Sequence, residues 1–197
     1  MHLIGLAGKA RSGKDTAARY IVKKHGYARV AFADPVKEAA AGMFGISINY
    51  FYDDDLKEEP HPFWGISPRE MVQKVGTECA RQVFGDDIWI RRAQLELQRI
   101  AQYNEYAQQD KYVKAIPGVV MSDVRYENEA AWIRDSGGII IHIQRDAVSK
   151  VRGHSSENGV ACDAVDYRVF NGTTVESFCD SMEGLLRHIE RYGADNG

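Results

Sequence analysis

Apolar positions along the chain fall into two alternating patterns: short runs bounded by glycine, and longer stretches with one apolar face. Leu3 to Ala7 is a short apolar run of the kind that forms a buried parallel strand. From Lys14 to Lys24, Ala17, Ala18, Ile21 and Val22 recur at helical spacing, and His25-Gly26 closes that helix. Arg29 to Ala33 reads as a second strand, and Pro35 suits the first turn of a helix running to about Phe44. Ser67-Pro68-Arg69-Glu70 is a helix start, with serine as N-cap, proline at the first helical position and glutamate closing a capping box. Val72, Val75, Cys79 and Val83 are expected on its buried face. Asp87 opens another helix that buries Ile90, Ala93, Leu97 and Ile100, and its polar end, from Gln102 to Lys114, is expected to protrude. Gly118 to Asp123 predicts a strand ending in a carboxylate, Glu127 to Asp135 a short helix, and Ile139 to Gln144 another strand. A last strand falls within Val165 to Phe170. The final helix, about Val175 to Arg191, carries a stripe of Val175, Phe178, Met182, Leu185 and Ile189.

Strands alternating with helices imply an α/β fold, a parallel sheet with helices on both faces. Two stretches break the alternation: the mostly helical one before Gly118 and the polar one after Arg145. Such departures after strands are where an α/β sheet places its ligands. Gly45 to Gly65 mixes aromatic and acidic residues with two prolines and reads as an irregular exposed segment. Its acidic run could bind a cation, but a solvated loop is the simpler reading.

Composition narrows the function classes. A chain of 197 residues with 44% hydrophobic and 27% charged residues is sized for one domain, 1–197, with a sizeable core. The formal charge of −3 argues against direct nucleic-acid binding as the main activity. No apolar run is long enough to span a bilayer, and the N-terminus does not read as a signal peptide. Three cysteines without C-x-x-C spacing read as reduced thiols, with Cys79 and Cys179 packed on helix faces. These features together point to a cytoplasmic protein without a membrane partner.

Gly8-Lys9-Ala10-Arg11-Ser12-Gly13-Lys14 fits the spacing G-x-x-x-x-G-K directly between an apolar strand and an amphipathic helix. The glycines let successive backbone N–H groups converge on phosphate oxygens, and the helix N-terminus adds partial positive charge. Lys14 supplies a point charge for the β- and γ-phosphates. The competing reading is a glycine-rich turn with no ligand. Asp15 stands where a Ser or Thr usually touches Mg²⁺, and Thr16 follows. Either could serve Mg²⁺, since carboxylate and hydroxyl oxygens both suit it.

Lys9 to Thr16, K-A-R-S-G-K-D-T, resembles the phosphate loop of the phage-type deoxynucleoside monophosphate kinases, in which R-S-G-K-D-T is typical. Further blocks match in order. Ala33 to Lys37 resembles the segment after the second strand, and Arg69 to Glu78, with Trp89 downstream, resembles the R-x-x-x-Q-x-x-G-T block. Ser122 to Glu129, then Gly137-Gly138 and Ile141 to Arg145, resembles the D-x-R…E block and its following strand. His154 and Glu157 resemble the lid, and Asp166 with Asn171-Gly172 the last motif. The resemblance implies a P-loop kinase fold with a substrate-binding insertion over 36–115 and a lid over 146–165. It also implies ATP and Mg²⁺ as cofactors and a deoxynucleoside monophosphate (dNMP) substrate. Some family members are dimers, and the helices at 67–108 offer a surface for a homodimer.

Transfer between two phosphate groups calls for cations from several directions. Lys14 and Arg11 in the loop, and Arg125 and Asp123 at the carboxyl end of a strand, are the catalytic candidates. Donor binding falls to Gly8, Arg11, Ser12, Gly13, Lys14, Asp15, Thr16 and Arg145. For the acceptor, the resemblance implies Asp34, Lys37, Arg69, Gly76, Thr77, Trp89, Asp123, Arg125 and Glu129. Rival readings are an N-cap role for Asp123, core packing for Trp89 and a solvated first-turn acid for Glu129. Arg81, Lys150, Arg152 and His154 are weaker phosphate candidates. At the level of function, the loop also resembles that of animal phosphomevalonate kinase. A non-catalytic nucleotide-binding module is the other alternative, but a GTPase switch is disfavoured because the chain has no Asn-Lys pair.

Overall fold

The computed structural model describes residues 1–145, 160, 165–172 and 174–192. The chain divides into two compact units, residues 1–30 with 100–197, and residues 31–99.

The first unit is built on five parallel strands: β1 (His2–Ala7), β2 (Ala28–Val30), β3 (Gly118–Val124), β4 (Ile139–Gln144) and β5 (Tyr167–Phe170). Their spatial order is β2-β3-β1-β4-β5, which puts β1 at the centre. Burial follows from that position. Leu6 and Ala7 are inaccessible, as are Val119, Val120, Met121, Ile140 and Ile141 on the flanking strands. Helices α1 (Lys14–His25) and α7 (Val175–Tyr192) cover one face, packing Ala17, Ala18, Ile21, Phe178, Met182 and Leu186 against Leu6, Ile141 and Ile143. Helix α6 (Glu127–Asp135) covers the other. Gly5 is bare because a Cβ there would lie 2.6 Å from Ile140 and 2.8 Å from Ile133 of α6. The expected sheet with helices on both faces is therefore present. Val175, expected in the α7 stripe, is exposed as that helix's first residue, while Leu185 and Ile189 pack on the core. Among the described residues no helix is long and apolar enough to cross a membrane.

The second unit begins with α2 (Ala33–Phe44) and a 3₁₀ turn at Ile48–Phe51. It continues through α3 (Pro68–Gln73), a π-helical stretch at Lys74–Arg81, the single turn α4 (Gln82–Phe84) and the start of α5 (Ile88–Gln109). The helix start at Ser67 forms as its sequence predicts. Ser67 Oγ accepts from the Glu70 N–H at 3.3 Å, and Glu70 Oε2 accepts from the Ser67 N–H at 2.9 Å. Val36, Ala40, Phe51, Met71 and Val75 make this unit's core.

Two expectations fail here. Cys79 and Val83 are exposed, and the buried residues are Met71, Val75, Gly76, Ala80 and Arg81. The cause is the π-helix, whose i→i+5 bonding adds a residue per turn and so slides the apolar face off the 3.6-residue spacing. Residues 45–65 are also not wholly exposed. Phe51 is buried, and Ile46, Ile48 and Tyr50 pack against the same core. In the first unit, the polar end of α5 is largely exposed, as expected, but it is tied down at one point. Asn104 exchanges two hydrogen bonds with Ile116, at 2.7 and 2.8 Å, and Ala107 is buried.

Candidate active site

Residues 8–13 connect the central strand to α1. Gly8 has φ 134° and Gly13 φ 111°, both left-handed backbone that favours glycine. Space enforces the same choice. A Cβ on Gly8 would lie 2.4 Å from the Ile143 carbonyl oxygen, and one on Gly13 would lie 2.4 Å from Asn171 Nδ2. Arg11 holds φ 61° without being glycine, the one such residue among those described. Strained backbone of this kind concentrates at ligand-binding turns. Lys14 Nζ folds back over the loop and donates to the carbonyls of Gly8 and Lys9, at 2.7 and 2.8 Å. The loop thus concentrates an ammonium group, a helix N-terminus and inward backbone curvature at one place.

Ser12 shows what the loop is suited to hold. It is buried, its Oγ has no hydrogen-bond partner among the described residues, and it lies 2.9 Å from where a Gly8 Cβ would stand. A buried unsatisfied hydroxyl in a glycine-lined loop calls for a polar ligand. For a divalent cation, Asp15 on the exposed first turn and the half-buried Thr16 could offer hard oxygen ligands. Among the described residues no group of three His, Cys, Asp or Glu gathers as a metal site.

Strand β3 brings the next candidates alongside. Val124 pairs with Ala7, the residue before Gly8, so Asp123 and Arg125 flank the position where the loop leaves the sheet. Helix α6 starts at Glu127 with Tyr126 as its N-cap residue, which removes the N-cap reading of Asp123. Glu129 is neither solvated nor exposed. It is buried, and its Oε2 accepts from the backbone N–H groups of Arg125 at 2.8 Å and Tyr126 at 3.1 Å. It therefore fixes the backbone that carries Arg125. Arg145 is exposed just beyond β4. Apart from Val160 and Val165, the 146–165 segment, with Lys150, Arg152, His154 and Glu157, lies outside the described residues.

Two residues of this unit drew no role from their own chemistry. His142 pairs across the sheet with Ala7 and with Arg168. Burial, then the charges of Arg168, Lys14 and Lys9, push its imidazole below the usual histidine value. Asn171 donates to the Ser12 carbonyl at 2.8 Å. The only sequence signal for either was its place in a matched block.

Residues 31–99 carry the remaining candidates. Lys37 lies 3.5 Å from Asp34 and 3.9 Å above the Tyr52 ring, while the Tyr52 hydroxyl donates to Asp34 at 2.9 Å. Tyr52 thus joins two of the expected residues, which no local pattern indicates. Arg69, anchored by its own N–H on the Lys57 carbonyl, donates through Nε and Nη2 to Glu58. Gly76 is bare because a Cβ would lie 3.0 Å from Val36, and its carbonyl accepts from Trp89 Nε1 at 2.9 Å. Trp89 also packs against the core of this unit. Thr77 is half-buried beside Gly76 in the π-helix. The buried Arg81 donates to the Asp86 carbonyl at 2.6 Å.

Comparison with known proteins matches most of the chain. The family model described as deoxynucleotide monophosphate kinase matches residues 2–67 and 56–182. A protein of Acanthamoeba polyphaga mimivirus assigned as a deoxynucleotide monophosphate kinase is 34% identical, over 90% of this chain and 92% of that one. The deoxynucleoside-5′-monophosphate kinase of Escherichia phage T5 is 24% identical, over 93% of this chain and 98% of its own. Among solved structures, TT1252 from Thermus thermophilus shares the fold with a TM-score of 0.51 at 12% identity, covering 95% of this chain and 97% of that one.

Proposed function

The chain belongs to the deoxynucleotide monophosphate kinase family, and on that premise we propose that it transfers the γ-phosphoryl group of ATP to a deoxynucleoside 5′-monophosphate. The products are ADP and the deoxynucleoside diphosphate. The observation that carries this reading is a family match running through residues 2–182 on a chain whose central strand opens into a phosphate-type loop.

Residues 8–16 grip the donor. Loop N–H groups and the α1 N-terminus face the polyphosphate, and the Lys14 ammonium exchanges the Gly8 and Lys9 carbonyls for β- and γ-phosphate oxygens. Arg11 adds a second cation, and Arg145 a third from beyond β4. When bound, Mg²⁺ neutralises charge on the phosphates, held by Asp15 or Thr16. Asp123 orients groups at the end of β3, and Arg125, its backbone set by Glu129, stabilises the transferring phosphoryl group. A general base adds little, because a phosphate monoester is already largely ionised at neutral pH, its second pKa being about 6.

The acceptor is assigned to residues 31–99. Arg69 and Lys37 meet its phosphate, while Asp34, Gly76, Thr77 and Trp89 frame its sugar and base. Arg69 and Lys37 already hold carboxylates, Glu58 and Asp34, which are anions of the same sign as a phosphate. Incubation with ATP, Mg²⁺ and each of the four common dNMPs, with nucleotides separated by ion-exchange chromatography, tests the proposal. At least one diphosphate is expected, and none from any acceptor would reject it.

A further inference from the structure

We propose that Asn171 is a positioning residue for the donor loop, acting on the Ser12–Gly13 peptide rather than on the nucleotide. The proposal rests on the reading of residues 8–16 as the donor site. Asn171 Nδ2 donates to the Ser12 carbonyl at 2.8 Å, across 159 positions of sequence. The peptide plane is rigid and trans, so holding the Ser12 C=O toward Asn171 turns the Gly13 N–H, on the opposite side of that plane, away from it. One of the loop's amides is thereby aimed by a side chain from the far end of the chain.

Both ends of this contact are held. The Asn171 N–H donates to the Gln144 carbonyl at 2.8 Å, one residue beyond the Gln144–Phe170 pair that ends the β4–β5 ladder. At the other end of β5, Asp166 Oδ2 accepts from the Ile140 N–H at 2.6 Å, and the Asp166 N–H donates to the Ile140 carbonyl at 3.1 Å. A four-residue strand is therefore fastened on either side, and Asn171 leaves it in a set direction. On the loop side there is no slack, because the amide takes the space that any side chain at position 13 would need. Phe178 of α7 closes the same spot, 3.5 Å from that Cβ position.

The test compares Asn171→Ala with Asn171→Asp. Aspartate keeps the shape but replaces the donor with an acceptor facing the Ser12 carbonyl. A positioning role predicts that both variants bind ATP roughly ten- to hundredfold more weakly in calorimetric titration, with Asp at least as weak as Ala. The KM for ATP should rise with them while the KM for the dNMP stays within about twofold. If Asn171→Ala does not fold, the isosteric Asn171→Asp carries the comparison, checked by its melting temperature without nucleotide. Wild-type ATP affinity in Asn171→Asp would overturn the proposal. So would equal losses for donor and acceptor that track a lowered melting temperature, since that is a packing role. A wild-type protein that binds ATP but phosphorylates no dNMP would defeat the family-based function, while the Asn171 assignment would still be judged on the affinities.

Discussion

At Gly8 an added Cβ would meet a backbone oxygen, Ile143 O, which has no rotamer to swing into, on a backbone at φ 134°. At Gly5 it would meet side-chain methyls, the tips of Ile140 and Ile133 and, at 3.1 Å, Val124, but no backbone atom as near. Gly8→Ala is therefore expected to lower the unfolding free energy by about 3 kcal/mol, from overpacking plus backbone strain. Gly5→Ala should cost about 1 kcal/mol, and urea titration of both measures the difference. Lys14 makes its two hydrogen bonds to loop carbonyls at a partly exposed site, so Lys14→Ala should melt close to wild type. Its kcat should fall by roughly a hundred- to a thousandfold, as for loss of one preorganised electrostatic group, and stopped-time nucleotide assays read that out. The two glycines and the lysine were legible from spacing alone, because their roles depend on neighbours a few residues away. Asn171 as a partner of the loop was not, because its contact joins residues 159 positions apart.

The π-helix at Lys74–Arg81 changes which face of its segment is inside. With Ala80 buried and Cys79 exposed, Ala80→Asp should be strongly destabilising, by about 2 kcal/mol or more, whereas Cys79→Ser should be within about 0.5 kcal/mol of wild type. In a Cys162→Ser background, a thiol reagent should modify Cys79 in the folded protein well before Cys179. Burial, then Asp180 and Glu176, push the Cys179 thiol up, so it is less often the reactive thiolate. Helices α1 and α7 are joined by a different device. Glu183 accepts from Tyr20 at 2.8 Å, His25 at 2.9 Å and Arg187 at 2.8 Å. The Tyr20 and Arg187 hydrogen bonds hold its carboxyl at about 2, below the ordinary 4.5, and burial followed by the Glu183 bond raises Tyr20 to about 12. A depressed carboxyl stabilises the fold above its ordinary pKa and loses that contribution as pH falls through the folded value. The melting-temperature gap between wild type and Glu183→Gln should therefore be full at pH 6 and shrink from about pH 4.5 down to about 2. Calorimetry across that range is the check. The 67–70 helix start and the strand-helix alternation were legible in sequence because caps and apolar runs are local. The π register was not, since a 3.6-residue template has no place for an extra residue per turn.

Across the molecule, the chain leaves the sheet after β2, builds the 31–99 unit and returns through α5, whose first half belongs to that unit and second half to the other. This insertion separates the residues assigned to the acceptor from those assigned to the donor by sequence as well as by unit. Variants should sort accordingly. Arg125→Ala, on the β3 side, should lower kcat by roughly a hundred- to a thousandfold, with a small effect on the KM for dNMP, if it serves the transition state. A rise in that KM with unchanged kcat would instead make Arg125 a ground-state contact for the acceptor. Initial-rate measurements with both substrates varied distinguish the two.

By itself the sequence determined the phosphate-type loop, the α/β alternation and the family blocks, because glycine backbone freedom, helix caps and apolar periodicity act over a few residues. Only the tertiary structure decided that β3 and not β2 lies beside β1, so that Asp123 and Arg125 flank the loop. It also decided that Glu129 serves a backbone, that Tyr52 joins Asp34 and Lys37, and that Asn171 holds Ser12. Those outcomes depend on strand pairing and side-chain packing between distant segments, which local pattern does not encode.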